Sequence, residues 1–268
     1  HKQRGRVMIR HHNLKRCPSI SAVRTRNRAG AGWAEILATL VILAVLGAFL
    51  VPSMRRGPSV REAARRVQCN NNLKLIGLAL YNYQEEHGAL PPAYTVDGNG
   101  QPLHSWRTLI LPYLDHQSLY ETIDLSKPWN HPANAQVYAA TIHTYTCPSS
   151  GLPPGQTASL ALVGDDCGLH PTQPRRLEEV KDGLSNTLMV IDTSAAEAVH
   201  WMNPGDSANR FLRSFNDDTK LQHSTDSVKG VPSLLMDGSV RFLPTTVTQQ
   251  TRNALTTIDG SDDIEGLD

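Results

Sequence analysis

The sequence predicts an α+β protein with a long N-terminal helix packed on a β-rich antiparallel head. Three observations carry this. Trp33 to Val51 is an apolar run of nineteen residues with one charge, Glu35, closed by Pro52. From Val60 to about His87, apolar residues recur at helical spacing. Beyond Gly88 and Pro91-Pro92 they fall into short runs separated by Gly, Pro, Asn and Asp, the pattern of strands and turns.

Residues 1–30 read as a basic leader. Residues 1–34 hold nine Lys/Arg and no Asp or Glu, whereas Glu35 onward has 17 Lys/Arg against 25 Asp/Glu, so a formal charge of +1 hides an acidic remainder. The leader contains no aromatic residue to interleave with its charges, which argues against a nucleic-acid arm. Residues 31–52 approach the roughly 20 apolar residues that cross a hydrocarbon core and are predicted as a transmembrane helix. The basic flank places the N-terminus in the cytoplasm and the bulk of the chain outside. Arg55, Arg56, Arg61, Arg65 and Arg66 oppose this orientation, but the leader carries more charge. A secretory signal peptide fits less well: the apolar run is long for one, and no A-x-A-like site precedes Pro52.

Gly57 and Pro58 should interrupt the helix, which resumes as a spine over residues 53–90. Cys69, Leu73, Ile76, Leu80 and Tyr83 recur at spacings of 4, 3, 4 and 3, one helix face. Both helical pieces, roughly 50 residues, would reach about 80 Å if straight. Gly88 and Pro91-Pro92 stop the spine.

The head spans residues 91–258. Residues 105–122 predict two short helices around Pro112. Strand-like runs follow at Ser159–Val163, Thr187–Ile191, Val199–Met202, Ser233–Met236 and Val240–Leu243. The last two flank Asp237-Gly238, which predicts a type I′ hairpin turn. Residues 247–256 predict a short helix, and 259–268 an acidic, frayed tail.

Of the four cysteines, Cys17 lies in the leader. The other three would meet an oxidising space, predicting one disulfide and one leftover thiol. Cys69 on the apolar face and Cys147 in a Cys-Pro-Ser loop are the favoured pair, with Cys167 an alternative partner for either.

A combination of motifs then points to a family. A basic leader, a glycine, a glutamate and an apolar helix are followed by Arg61-Glu62-Ala63-Ala64-Arg65-Arg66, Cys69-Asn70-Asn71-Asn72-Leu73-Lys74 and Ile76-Gly77-Leu78-Ala79-Leu80. Later come Leu90-Pro91-Pro92, Ser105-Trp106-Arg107, Leu111-Pro112-Tyr113-Leu114, Cys147-Pro148-Ser149, Asp182-Gly183-Leu184-Ser185-Asn186-Thr187 and Asp237 to Phe242. The chain resembles bacterial prepilin-like proteins with a C-terminal domain of unknown function and an H-x9-DG motif, relatives of the G-type pseudopilins of type II secretion. The resemblance implies a pilin-like fold, a single pass of the inner membrane and a periplasmic or surface-exposed head. It implies as partners a prepilin peptidase and pilin-like subunits, self or related. Cleavage would fall between Gly30 and Ala31, which spaces Glu35 as the family does, or between Gly32 and Trp33. Glu35 would then pair with the free N-terminal amine of a neighbouring subunit. The candidate motif histidine, His223, has thirteen residues before Asp237 rather than nine.

Other motifs read as structure. His223, Asp237 and Gly238 fit a braced hairpin better than a catalytic site. Asp97-Gly98-Asn99-Gly100 lacks the remaining ligands of an EF-hand loop and reads as a turn. The resemblance implies calcium near the C-terminus, with Asp259, Asp262, Asp263 and Glu265 as ligands, but a solvated acidic tail is the simpler expectation, so no cofactor or metal is expected. No G-x-S-x-G, H-E-x-x-H, P-loop or G-x-G-x-x-G occurs, and no enzyme is expected. Trp106, Trp129 and Trp201 are expected in the core, unless an exposed pair forms a carbohydrate platform. Two functions follow: a structural subunit of an envelope fibre, or a membrane-anchored module that binds a carbohydrate or other solute.

Overall fold

The computed structural model describes residues 32–55, 57–206 and 230–260, with side chains over those ranges except 47–60 and 62. The chain divides into two compact units at Arg55/Arg56. α2 belongs to the unit that contains the head.

In the first unit, α1 (Trp33–Arg55) runs on through Pro52. A proline inside a helix removes one hydrogen bond, and here the helix does not end there. Among the described residues no helix is long and apolar enough to cross a membrane. Described side chains of α1 stop at Leu46, so the remainder of the expected span, residues 47–52, lies outside them.

In the second unit, α2 (Gly57–His87) starts three residues before the expected Val60. Gly57-Pro58 opens this helix, as a proline in a first turn lacks only a donor that would be unpaired anyway. Cys69, Leu73, Ile76 and Leu80 are fully buried, as their spacing requires. Gly88, at φ +76°, ends the helix and donates to Gln84 O.

Next come β1 (Tyr94–Val96) and β2 (Pro102–Ser105), an antiparallel pair that the sequence pattern does not announce. Asp97 closes the turn between them, its Oδ1 accepting from Asn99 N and Gln101 N, both at 2.8 Å. Around Pro112 lie α3 (Trp106–Leu109), a 3-10 turn at Leu111–Leu114 and α4 (Gln117–Tyr120). After α5 (Ala135–Tyr138), the strands are β3 (Gln156–Thr157), β4 (Ser159–Ala161), β5 (Leu188–Asp192), β6 (Val199–His200), β7 (Gly230–Leu235) and β8 (Val240–Pro244). The last helix is α6 (Gln249–Ala254).

β4, β5, β7 and β8 form a four-stranded antiparallel sheet in that order, and β3 pairs with β6. One side of the larger sheet shares a core with Leu73, Ile76 and Leu80 of α2, through Ala161, Met189, Val190 and Leu234. Leu162, Leu188, Ile191, Val231, Leu235 and Leu243 form a second cluster with Leu255, beside α6. Met189 and Val190 are neighbours in sequence yet share one cluster, because the β5–β7 register shifts between Leu188 and Val190. Gly77 permits the close approach of α2: a Cβ there would lie 2.9 Å from Leu234 Cδ1.

Candidate functional site

Cys69 and Cys147 are joined in a disulfide, with Cα atoms 4.9 Å apart. The bond ties the buried face of α2 to the loop after a 3-10 turn at His143–Tyr145. Asn72, one turn along α2, reinforces it by donating to His143 O at 3.3 Å and Thr146 O at 3.1 Å. Cys167 is the leftover thiol, and burial, with Asp166 beside it, pushes its pKa up to about 12. Such a thiol is unreactive at neutral pH. Asp192 lies close to the disulfide: one ligand-type atom each from Cys69, Cys147 and Asp192 fall within 4.8 Å of one another. Both sulfurs are spent in the S–S bond, and Asp192 accepts a short bond from Ser159 Oγ, so the cluster does not read as a metal site.

Ser105-Trp106-Arg107 is explained by a buried polar knot. Ser105 Oγ caps α3 by accepting from Arg107 N, and accepts again from Arg107 Nη1 at 3.0 Å. Arg107 Nε and Nη2 both reach Ser159 O, at 3.1 and 2.8 Å. Asp206 Oδ2 accepts from Trp106 Nε1 (2.9 Å), Arg107 Nη2 (2.6 Å) and Ala161 N (2.8 Å). Solvent does not reach the pair, so this motif is architecture.

Asp237-Gly238 does form the hairpin turn, but not of type I′, which needs positive φ at both central residues. Among the described non-glycine residues only Asp115 has positive φ. Leu235 N donates to Ser239 O, Gly238 N donates to Leu235 O, and Gly238 has φ +82°. This is a three-residue loop, Met236 to Gly238, with the glycine in the left-handed position, as in a G1 bulge. Asp237 Oδ1 braces it by accepting from Ser239 N at 2.8 Å, and Tyr81 of α2 donates to Met236 O. His223, the expected brace, lies outside the described residues, as do Gly30, Ala31 and most of the tail. Asp259 pairs with Lys181 at 2.5 Å.

At the start of α1, Trp33 is 85% exposed and Glu35 stands in the first turn, its N donating to Gly32 O. Trp106 and Trp201 are core residues. Trp129 is half-buried and stacks with Tyr138 and His200, whose own rings lie face to face at 4.0 Å. Burial lowers the pKa of His200, while Nε2 contacts Tyr138 O at 3.0 Å.

A cleft of about 270 Å³, which the sequence pattern does not announce, lies where the last turn of α2 meets the segment around Pro112. Tyr83, Glu86 and His87 come from α2, Tyr113 from the 3-10 turn, and Gln117 and Tyr120 from α4, over Leu109 and Pro112. The Tyr113 hydroxyl donates to Glu86 Oε2 at 2.7 Å and lies 3.2 Å from His87 Nε2. Burial and that bond to Glu86 hold the Tyr113 pKa well above the ordinary tyrosine value. Three of the chain's seven tyrosines meet here, Tyr83 from α2 and Tyr113 and Tyr120 from the segment after Pro112, and no local spacing announces the meeting.

Residues 58–166 match the model of a family described as a protein of unknown function, DUF1559. The match covers α2, the cleft, the Cys69–Cys147 disulfide and the strands up to β4. No curated protein and no solved structure matches the chain.

Proposed function

We propose that the chain is a membrane-anchored, pilin- or pseudopilin-like structural protein of the cell envelope, processed by a prepilin peptidase and assembling with related subunits. The observation that carries this is an apolar helix with no polar face. Ile36, Leu37, Leu40, Val41, Ile42, Leu43, Val45 and Leu46 point in all directions around α1, and each is exposed. A helix apolar on every side belongs in an apolar phase. Glu35 is the one charge in that stretch, and a carboxylate in such a phase requires a cationic partner, which a neighbouring subunit's amine would supply. The disulfide supports a head on the oxidising side of the membrane. Packing of α2 against an antiparallel sheet agrees with a pilin-like head.

Glu35→Ala tests the reading. In membranes from cells making the full chain, chemical cross-linking should give a ladder of subunits for the wild type and monomer for the variant. An unchanged ladder and unchanged extraction from the membrane would sink it.

A second reading, an anchored solute-binding module, is favoured by the cleft at the end of α2. Saturable binding of a small solute by the full chain would support it.

A further inference from the structure

The cleft has walls of an unusual kind. Tyr83 and Tyr113 meet edge to face, at 79° with centroids 6.0 Å apart, so they enclose a corner and offer no flat platform. Tyr120 lines the same space. Glu86 supplies a carboxylate, oriented by the Tyr113 hydroxyl. No lysine or arginine lines the cleft among the described residues. Glu86 and His87 also belong to the last turn of a 31-residue helix, whose terminal carbonyls carry partial negative charge.

We infer that this cleft binds a small organic cation, an alkylated ammonium group of the choline type. This rests on the second reading, binding by the head, and is independent of assembly. The faces of tyrosine rings carry negative potential and attract a cation within about 6 Å of the centroid. A carboxylate and a helix C-terminus add potential of the same sign. A rounded trimethylammonium group fits a corner, whereas a sugar ring gains most from a flat aromatic face. An anion would meet the Glu86 carboxylate with no lysine or arginine to offset it, the His87 imidazole being the one basic group in the lining.

The test uses the full chain in dodecyl maltoside, a detergent without an ammonium head. Choline is titrated by calorimetry beside 3,3-dimethylbutanol, its neutral analogue of nearly the same shape, with glucose and inorganic phosphate as further probes. Choline should bind at least about tenfold more tightly than the alcohol, since that preference is all that the charge adds. Glu86→Gln and Tyr83→Leu should each weaken choline about tenfold while leaving the melting temperature within a few degrees. Should a variant misfold, the comparison of choline with the alcohol on the wild type still decides. Equal affinity for choline and the alcohol, or tighter binding of glucose or phosphate, overturns the cation while leaving a binding head in place. Failure of all four probes to bind overturns the cation inference and removes the cleft's support for a binding head.

Discussion

Arg107 and Asp206 form an ion pair at 2.6 Å with side chains 0% and 1% exposed, though 99 residues separate them. Trp106 Nε1 and Ala161 N also donate to Asp206 Oδ2, so the pair fixes α3, β4 and the backbone at Asp206 to one another. Removing one member of such a pair strands a charge in low dielectric, at a cost of about 3–5 kcal/mol. Asp206→Ala should therefore lower the free energy of unfolding, measured in urea, by that amount. A loss below about 1 kcal/mol would show that water reaches Arg107.

The disulfide closes a loop with a sequence separation of 78. In the chain-entropy account this is worth roughly 4 kcal/mol. Reduction, or the double change Cys69→Ala and Cys147→Ala, should lower the melting temperature by about ten degrees or more, on the order of what that loss implies for a domain this size. Thiol counting under denaturing, non-reducing conditions should find Cys167 free, with Cys17 adding a second thiol only where the leader is uncut.

Acid should weaken the head. Burial lowers the pKa of His104 and of His200 relative to the ordinary histidine value. Between that lowered value and the unfolded value of about 6.5, the unfolded chain binds more protons, so stability falls as pH drops through this window and levels off below it. Melting temperature should decline from about pH 7 to about pH 5, and His200→Phe, which keeps a ring against Tyr138, should flatten the decline. A melting temperature that rises on acidification would contradict this.

Gly238 holds φ +82°, and a Cβ added there would stand 3.5 Å from the nearest Tyr81 ring atom, so space is available and backbone strain is the obstacle. Gly238→Ala should cost about 1–2 kcal/mol, and Gly238→Asn less. Gly98→Ala, where a Cβ meets nothing within 4 Å, is the neutral control. Equal stabilities of the two alanine variants in urea would refute the turn assignment.

Periodicity made the buried face of α2 legible, because Cys69, Leu73, Ile76 and Leu80 repeat every three or four residues. Placement of Cys69 on that face also made the bond to Cys147 legible. Asp237-Gly238 announced a turn, but its type depended on the register Leu234↔Val240, which a dipeptide does not encode. β1 and β3 have three and two residues, too short for a pattern to emerge. The Arg107–Asp206 pair and the tyrosine cleft arise from contacts between distant segments, where local spacing carries no information. Ser105-Trp106-Arg107 was visible as a motif, but its structural role needed the partner at Asp206.

The most direct test of the envelope-fibre account is intact-mass and N-terminal analysis of the membrane-fraction protein, made with and without a prepilin peptidase. The account predicts a peptidase-dependent new terminus at Ala31 or Trp33. A leader that stays uncut in the presence of the peptidase would contradict it, and would leave a signal-anchored head as the reading.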